Sequence, residues 1–149
     1  MRCVIQRVRE AWVEVDGRET GRIDRGLLLL LGFARGDTAR DAELLAEKVA
    51  QQRVFDDGER GFHLSVAEAG GRILLVSQFT LLGDCRRGRR ASFDDALPSA
   101  EAKPLYDRFA GRLNEMGLQP EEGVFGASML VHLVNDGPVT FLLDSRKAF

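Results

Sequence analysis

The chain has little of what metal and redox centres are built from. Its 149 residues include two cysteines and two histidines. Cys3 and Cys85 show no metal or redox spacing, and nothing about them calls for a disulfide. His63 and His132 stand far apart with no Cys or acidic ligand cluster beside them, so neither zinc nor another metal or cofactor is expected. Long apolar runs are also missing. The longest, Leu27 to Leu31, suits a buried strand and is far too short to cross a bilayer. Arg2 and Arg7 put charge into what would be a signal peptide's apolar core, so no secretion signal is expected and the setting reads as reducing and cytoplasmic. No Walker loop or Gly-x-Gly-x-x-Gly serves a nucleotide cofactor, and no Gly-x-Ser-x-Gly elbow surrounds any serine.

What is present is ordinary for a globular protein: 44% hydrophobic and 30% charged residues, enough for one compact domain over 1–149. The net charge of −2 makes the whole chain no electrostatic nucleic-acid binder. Charge is concentrated, however, in Arg86-Arg87-Gly88-Arg89-Arg90. Two readings stand for it: a solvated loop, or a phosphate clamp exploiting the bidentate geometry of Arg.

The pattern predicts a first strand over Cys3–Val8 and an alternating one over Ala11–Val15. A hairpin turn follows at Asp16-Gly17, then a return strand over Glu19–Ile23 and a central strand over Leu27–Phe33. A helix opens at Asp37-Thr38, runs past Leu44, Leu45 and Val49, and carries Val54 and Phe55 at its end. His63–Val66 reads as a short irregular strand and Arg72–Phe79 as a regular one. A second helix starts at Pro98-Ser99, or nearer Pro104, because proline is comfortable only in a first turn. Ser128–Val134 and Val139–Leu143 are the last strands. Strands outnumber what two helices can connect as crossovers. The expected class is therefore α+β: a strongly bent, barrel-like, mostly antiparallel sheet with two main helices packed outside.

Two segments break these local rules. Ser77-Gln78 follows the apolar run Ile73–Val76 directly, and Gly137-Pro138 stands directly before Val139–Leu143. Such places tend to be functional. A Ser-His-Asp triad is not supported by either segment. Thr80 is the most tempting nucleophile, yet no base is adjacent, which favours a hydroxyl that hydrogen-bonds backbone or ligand. Backbone chemistry remains: N–H groups released at a strand end can face an oxyanion, and the Gly-Pro peptide is rigid and admits close approach. Local sequence alone favours trans for that peptide.

At these residues the chain resembles the D-aminoacyl-tRNA deacylase family, the type with a Gly-Pro motif. The likeness runs through Ile5-Gln6-Arg7-Val8, Gly26 to Gly32, Val76-Ser77-Gln78-Phe79-Thr80-Leu81, Arg89 to Phe93, Phe125-Gly126-Ala127 and Leu133 to Thr140, and so covers the whole chain. The resemblance implies hydrolysis of the ester in D-aminoacyl-tRNA, and of glycyl-tRNA mischarged on tRNA(Ala), with rejection of the L form. The ribose 2′-hydroxyl would assist, and no side chain is an obligatory nucleophile. It implies a homodimer with a cis Gly137-Pro138 reaching into the partner's site. Ser77 and Gln78 would line the ester site with Phe79 and Thr80 beside them. Phe125 would flank the adenosine, with Met129 on the same wall. Arg7 would brace the Gly-Pro turn, and Arg86, Arg87, Arg89 and Arg90 would meet tRNA phosphates. His63, Ala91 and Ser128 depart from the family's usual residues. The rival reading is a non-catalytic dimeric module that holds the aminoacylated 3′ end of tRNA. No membrane partner is implied.

Overall fold

A computed structural model describes residues 1–59 and 61–148. The architecture is organised around one long strand, β1 (Arg2–Val15). Asp16 and Gly17 both take positive φ, 49° and 73°, which suits the two-residue hairpin turn joining β1 to β2 (Arg18–Ile23). β2 leads into β3 (Gly26–Gly32), and the two pair antiparallel with successive halves of β1 along one edge. Along its other edge β1 pairs with β6 (Leu130–Asp144), from Arg2↔Asp144 to Glu14↔Leu130. The predicted strands over 3–8 and 11–15 are thus one element with register shifts between Gln6 and Glu10. These shifts let Ile5 face the helices while Val8, Ala11 and Val13 all face the barrel interior.

Two crossovers complete the sheet. β3 runs through helix α1 (Ala39–Gln51) to β4 (Arg72–Ser77), parallel to β3, and β4 runs through α2 (Ser99–Glu115) to the two-residue β5 (Glu121–Glu122), parallel to β4. The sheet is therefore mixed, in the order β2-β1-β3-β4-β5. β2 packs back against β4 and β5, so the sheet nearly closes. β3 alternates faces: Leu27, Leu29 and Leu31 meet Leu45, Val49, Phe109 and Leu113 of the helices, whereas Leu28 joins Leu74 and Val76 inside the barrel. Among the described residues no helix is long and apolar enough to cross a membrane.

Local chemistry explains the boundaries. Thr38 caps α1: its hydroxyl accepts from Asp41 N (3.4 Å), and Asp41 Oδ2 accepts from Thr38 N (2.9 Å). The helix stops at Gln51. Val54 and Phe55, expected at its end, lie outside it, where Phe55 forms a single bridge with Leu64 in place of the expected 63–66 strand. α2 begins at Ser99 and runs straight through Pro104. The carbonyl that Pro104 cannot serve belongs to Ala100, which is exposed to water. β4 ends at Ser77, two residues short of expectation, because Phe79–Leu82 coils into a 3₁₀ turn. Ser128 and Met129 precede β6, and the two expected C-terminal strands are one strand interrupted by an excursion. Gln6 faces Thr140 and Val8 faces Asn135, so residues 136–139 bulge out opposite Arg7.

Candidate active site

Three segments converge at the end of β4. Gln78 N still donates to Leu31 O (2.7 Å), so the turn that follows stays pinned to the end of β3. The 123–129 stretch returns across β4: Gly123 N donates to Leu75 O (2.9 Å), and Gly126 N donates to Ser77 Oγ (3.4 Å). The start of α2 forms the third wall, fixed by Leu97 N donating to Phe33 O (2.8 Å). Between them lies a cavity of about 560 Å³. Ser77, Gln78 and Phe79 line one side, Phe125, Gly126 and Met129 a second, and Pro98, Ser99 and Ala102 a third.

The lining is mostly apolar. Its polar side chains are the Ser77 and Ser99 hydroxyls, the Gln78 amide and Arg35, and Arg35 is the one titratable group among the described lining residues. No histidine or carboxylate stands ready to act as a base there. Behind the wall Tyr106 packs on Phe125, ring centres 5.2 Å apart, and its hydroxyl donates to Leu75 O (3.4 Å). Burial and the Glu122 carboxylate push that hydroxyl far above its usual range, so it stays protonated and holds the wall in place. Thr80 does not line the cavity. Its hydroxyl accepts a hydrogen bond from the Gln78 amide. Among the described residues no group of three or more His, Cys, Asp or Glu side chains is placed to hold a metal. Cys3 and Cys85 are free thiols, one buried and one exposed.

The Gly-Pro segment lies elsewhere, on the β6 excursion. The Gly137-Pro138 peptide is cis, against the trans favoured by local sequence and in keeping with the resemblance. Arg7 braces this turn: Nε donates to Asp136 O (3.0 Å) and Nη1 to Val54 O (2.7 Å). Asn135 closes its neck, with Oδ1 accepting from Val139 N (2.7 Å) and Nδ2 donating to Val139 O (3.2 Å). Neither Gly137, Pro138 nor Arg7 lines the cavity of its own chain.

A family model described as D-Tyr-tRNA(Tyr) deacylase matches residues 4–144. The chain belongs to this family. A D-aminoacyl-tRNA deacylase of Anaeromyxobacter dehalogenans is 58% identical over 149 residues, covering 100% of both chains. One from Geobacter sulfurreducens is 58% identical over 146 residues, covering 98% of this chain and 96% of the relative. Among solved structures, a protein described as c-Myc DNA Unwinding Element Binding Protein superposes with a TM-score of 0.90 at 38% identity, covering 97% of this chain and 98% of the other. A probable eukaryotic D-amino acid tRNA deacylase shares the fold, with a TM-score of 0.82 at 18% identity and 95% and 97% coverage.

The structure thus gathers Ser77, Gln78, Phe79, Phe125 and Met129 of this family member into one cavity and sets Arg7, Gly137 and Pro138 together at a second place. Of the basic run, Arg86 is held on Asp84, through Nε at 2.8 Å and Nη2 at 2.6 Å, and that pairing holds the Asp84 carboxyl well below the usual range. Arg87, Arg89 and Arg90 project into solvent. Arg35 and Ser99 were not anticipated. Ser99 was legible only as a helix start, and Arg35 reaches the cavity through the long-range bridge Ala34↔Ala96.

Proposed function

We propose that the chain hydrolyses the ester of D-aminoacyl-tRNA, and of misplaced glycyl-tRNA, in the cytoplasm, releasing free amino acid and tRNA and sparing the L form. The observation that carries this is a cavity walled by Ser77–Phe79 and Phe125–Met129 whose polar side chains, among the described residues, are two hydroxyls, one amide and Arg35. Water is then the nucleophile at the ester carbonyl. The vicinal ribose 2′-hydroxyl orients it, main-chain N–H groups at the end of β4 support the developing oxyanion, and the 3′ oxygen leaves with a proton.

The active unit of this reading is a homodimer. Gly137-Pro138 does not line the cavity of its own chain, and β6 carries Leu130, Val134 and Leu142, 65%, 44% and 57% exposed. Exposed apolar side chains on a strand that, among the described residues, pairs only with β1 are suited to a second copy. The partner's Gly137-Pro138 turn then completes the pocket, its main-chain carbonyls gripping the substrate ammonium and its bulk blocking an L side chain. Glycine, with nothing to collide, is accepted.

Purified protein is expected to release D-tyrosine from D-tyrosyl-tRNA and to leave L-tyrosyl-tRNA intact in a side-by-side time course. Equal rates on the two would refute the chiral reading, and tight binding without product at stoichiometric protein would favour the holding module. Thr80→Ala and Ser77→Ala are expected to keep kcat within about tenfold of the parent, whereas loss of a true nucleophile costs about 10³-fold or more.

A further inference from the structure

The rim of the cavity carries a surface that ester chemistry does not use. From Phe79 the chain coils through its 3₁₀ turn to Asp84, leaves the body, and returns at Ser92 and Phe93. Asp84 and Ser92 clamp the neck with two main-chain hydrogen bonds, 2.7 and 2.9 Å, so residues 85–91 stand out as a loop. At its base Phe79 and Phe93 meet edge to face, ring centres 5.0 Å apart, with 59% and 38% of their surface open to water. The two rings together form a contiguous aromatic patch beside the cavity. Arg35 stands at the same rim, lining the cavity while its Nε donates to Asp94 O (2.8 Å).

The charges around the loop are unequally committed. Arg86 is spent on Asp84, and Asp94 accepts from the Ser92 hydroxyl (2.7 Å). Asp95 faces Arg86. Arg87, Arg89 and Arg90 are exposed and make no hydrogen bond or ion pair among the described residues. The rim of the cavity therefore carries a cation and two partly exposed rings, and the loop beyond them carries three guanidinium groups without a partner among the described residues.

Resting on the deacylase reading, we infer that the Phe79–Phe93 pair and Arg87, Arg89 and Arg90 form a platform for the unpaired 3′-terminal strand of the tRNA. Nucleotides just upstream of the esterified adenosine stack on the rings while their phosphates pair with the loop. Stacking on exposed rings needs bases free of a duplex, which selects the single strand over the acceptor stem. Such contacts are tolerant of sequence, as a clearing enzyme that meets many tRNAs requires.

Two measurements test this. The first is fluorescence anisotropy of a labelled single-stranded RNA ending in CCA, titrated across salt concentration. Replacing Arg87, Arg89 and Arg90 together by Ala should lower the log–log salt slope by about 2, from about 0.7 per phosphate-paired cation on a single strand. Phe93→Ala should weaken binding about tenfold at fixed salt with the slope kept. The second is hydrolysis of D-tyrosyl-tRNA against D-tyrosyl-adenosine, which lacks the upstream strand. Both variants should raise KM for the tRNA about tenfold with kcat held, and change kcat/KM for the adenosine ester less than about twofold. Arg40→Ala, on the far helix, controls for loss of charge. Equal losses on both substrates, no change on either, an unaltered salt slope, or equal competition by a blunt RNA duplex each overturn the platform. A parent protein that turns over neither substrate defeats the deacylase reading instead, and the anisotropy then judges the platform by itself.

Discussion

Gly137→Ala is expected to abolish useful deacylation of D-tyrosyl-tRNA, lowering kcat/KM by about 100-fold or more, because small displacements of a positioning element have that effect. Gly137 sits at φ +146°, where L residues rarely go, and an added Cβ would lie 2.5 Å from Val139 Cγ2 and 2.8 Å from Val139 N. Val139 has nowhere to retreat. Its N–H and C=O are both held by the Asn135 amide, and the residue is only 9% exposed. Upstream, Arg7 ties Asp136 O to Val54 O across the sheet. The turn is thus fixed from both sides, and alanine must break one of the two clamps. Release of labelled D-tyrosine measures the outcome, with Gly17→Ala as the control: it has φ +73° but no atom within 4 Å, and it lies on the β1–β2 hairpin and not among the cavity's lining residues. A Gly137→Ala enzyme with parental rate and intact preference between mirror-image substrates would remove the turn from the mechanism.

Gly26→Ala is expected to act on stability rather than chemistry. Its Cβ would fall 1.9 Å from Arg72 O and 2.7 Å from Arg72 N, inside the β3–β4 ladder at the Gly26↔Arg72 position. Every clashing atom is backbone, so no rotamer relieves it. β3 is also held by β1 on its other edge through Val8↔Gly26. Losses of more than about 4 kcal/mol come from defects of this kind, against a total stability of about 5–15 kcal/mol. The melting temperature should fall by about 10 °C or more, or the protein should accumulate as insoluble material. Thermal unfolding followed by circular dichroism decides it, and an unshifted midpoint would mean that the two strands part there without cost.

Much of this was readable where the signal was local. The alternation in Ala11–Val15, the Asp16-Gly17 turn, the capping at Thr38 and the apolar run of β3 each depend on neighbours in sequence. Ser77-Gln78 stands out in the sequence because a polar pair follows an apolar run, and both residues line the cavity together with Phe79, while Thr80 does not. What escaped depends on partners far away. β1 continues through Arg9 and Glu10 only because β6 runs beside it, and Phe55 leaves α1 to meet Leu64. Helix α2 continues through Pro104, and Ala100, whose carbonyl loses its helical partner, is an exposed residue. The arrival of Arg35 at the rim follows from the bridge between Ala34 and Ala96, whereas the Arg86–Asp84 pair is local and is passed over when the run is read as a block of like charge.

The pairing of Arg2 with Asp144 has a consequence for how the molecule is made. β1 acquires its second neighbour only when β6 has been made, after β2 to β5, so while those elements are synthesised β1 presents a bare hydrogen-bonding edge over 14 residues. Topologies that join distant ends fold slowly, and an unsatisfied edge invites pairing with other nascent chains. Production of this protein should therefore be sensitive to anything that delays delivery of β6, such as a ribosome stalled before Leu130, well beyond what the modest size of that strand would suggest.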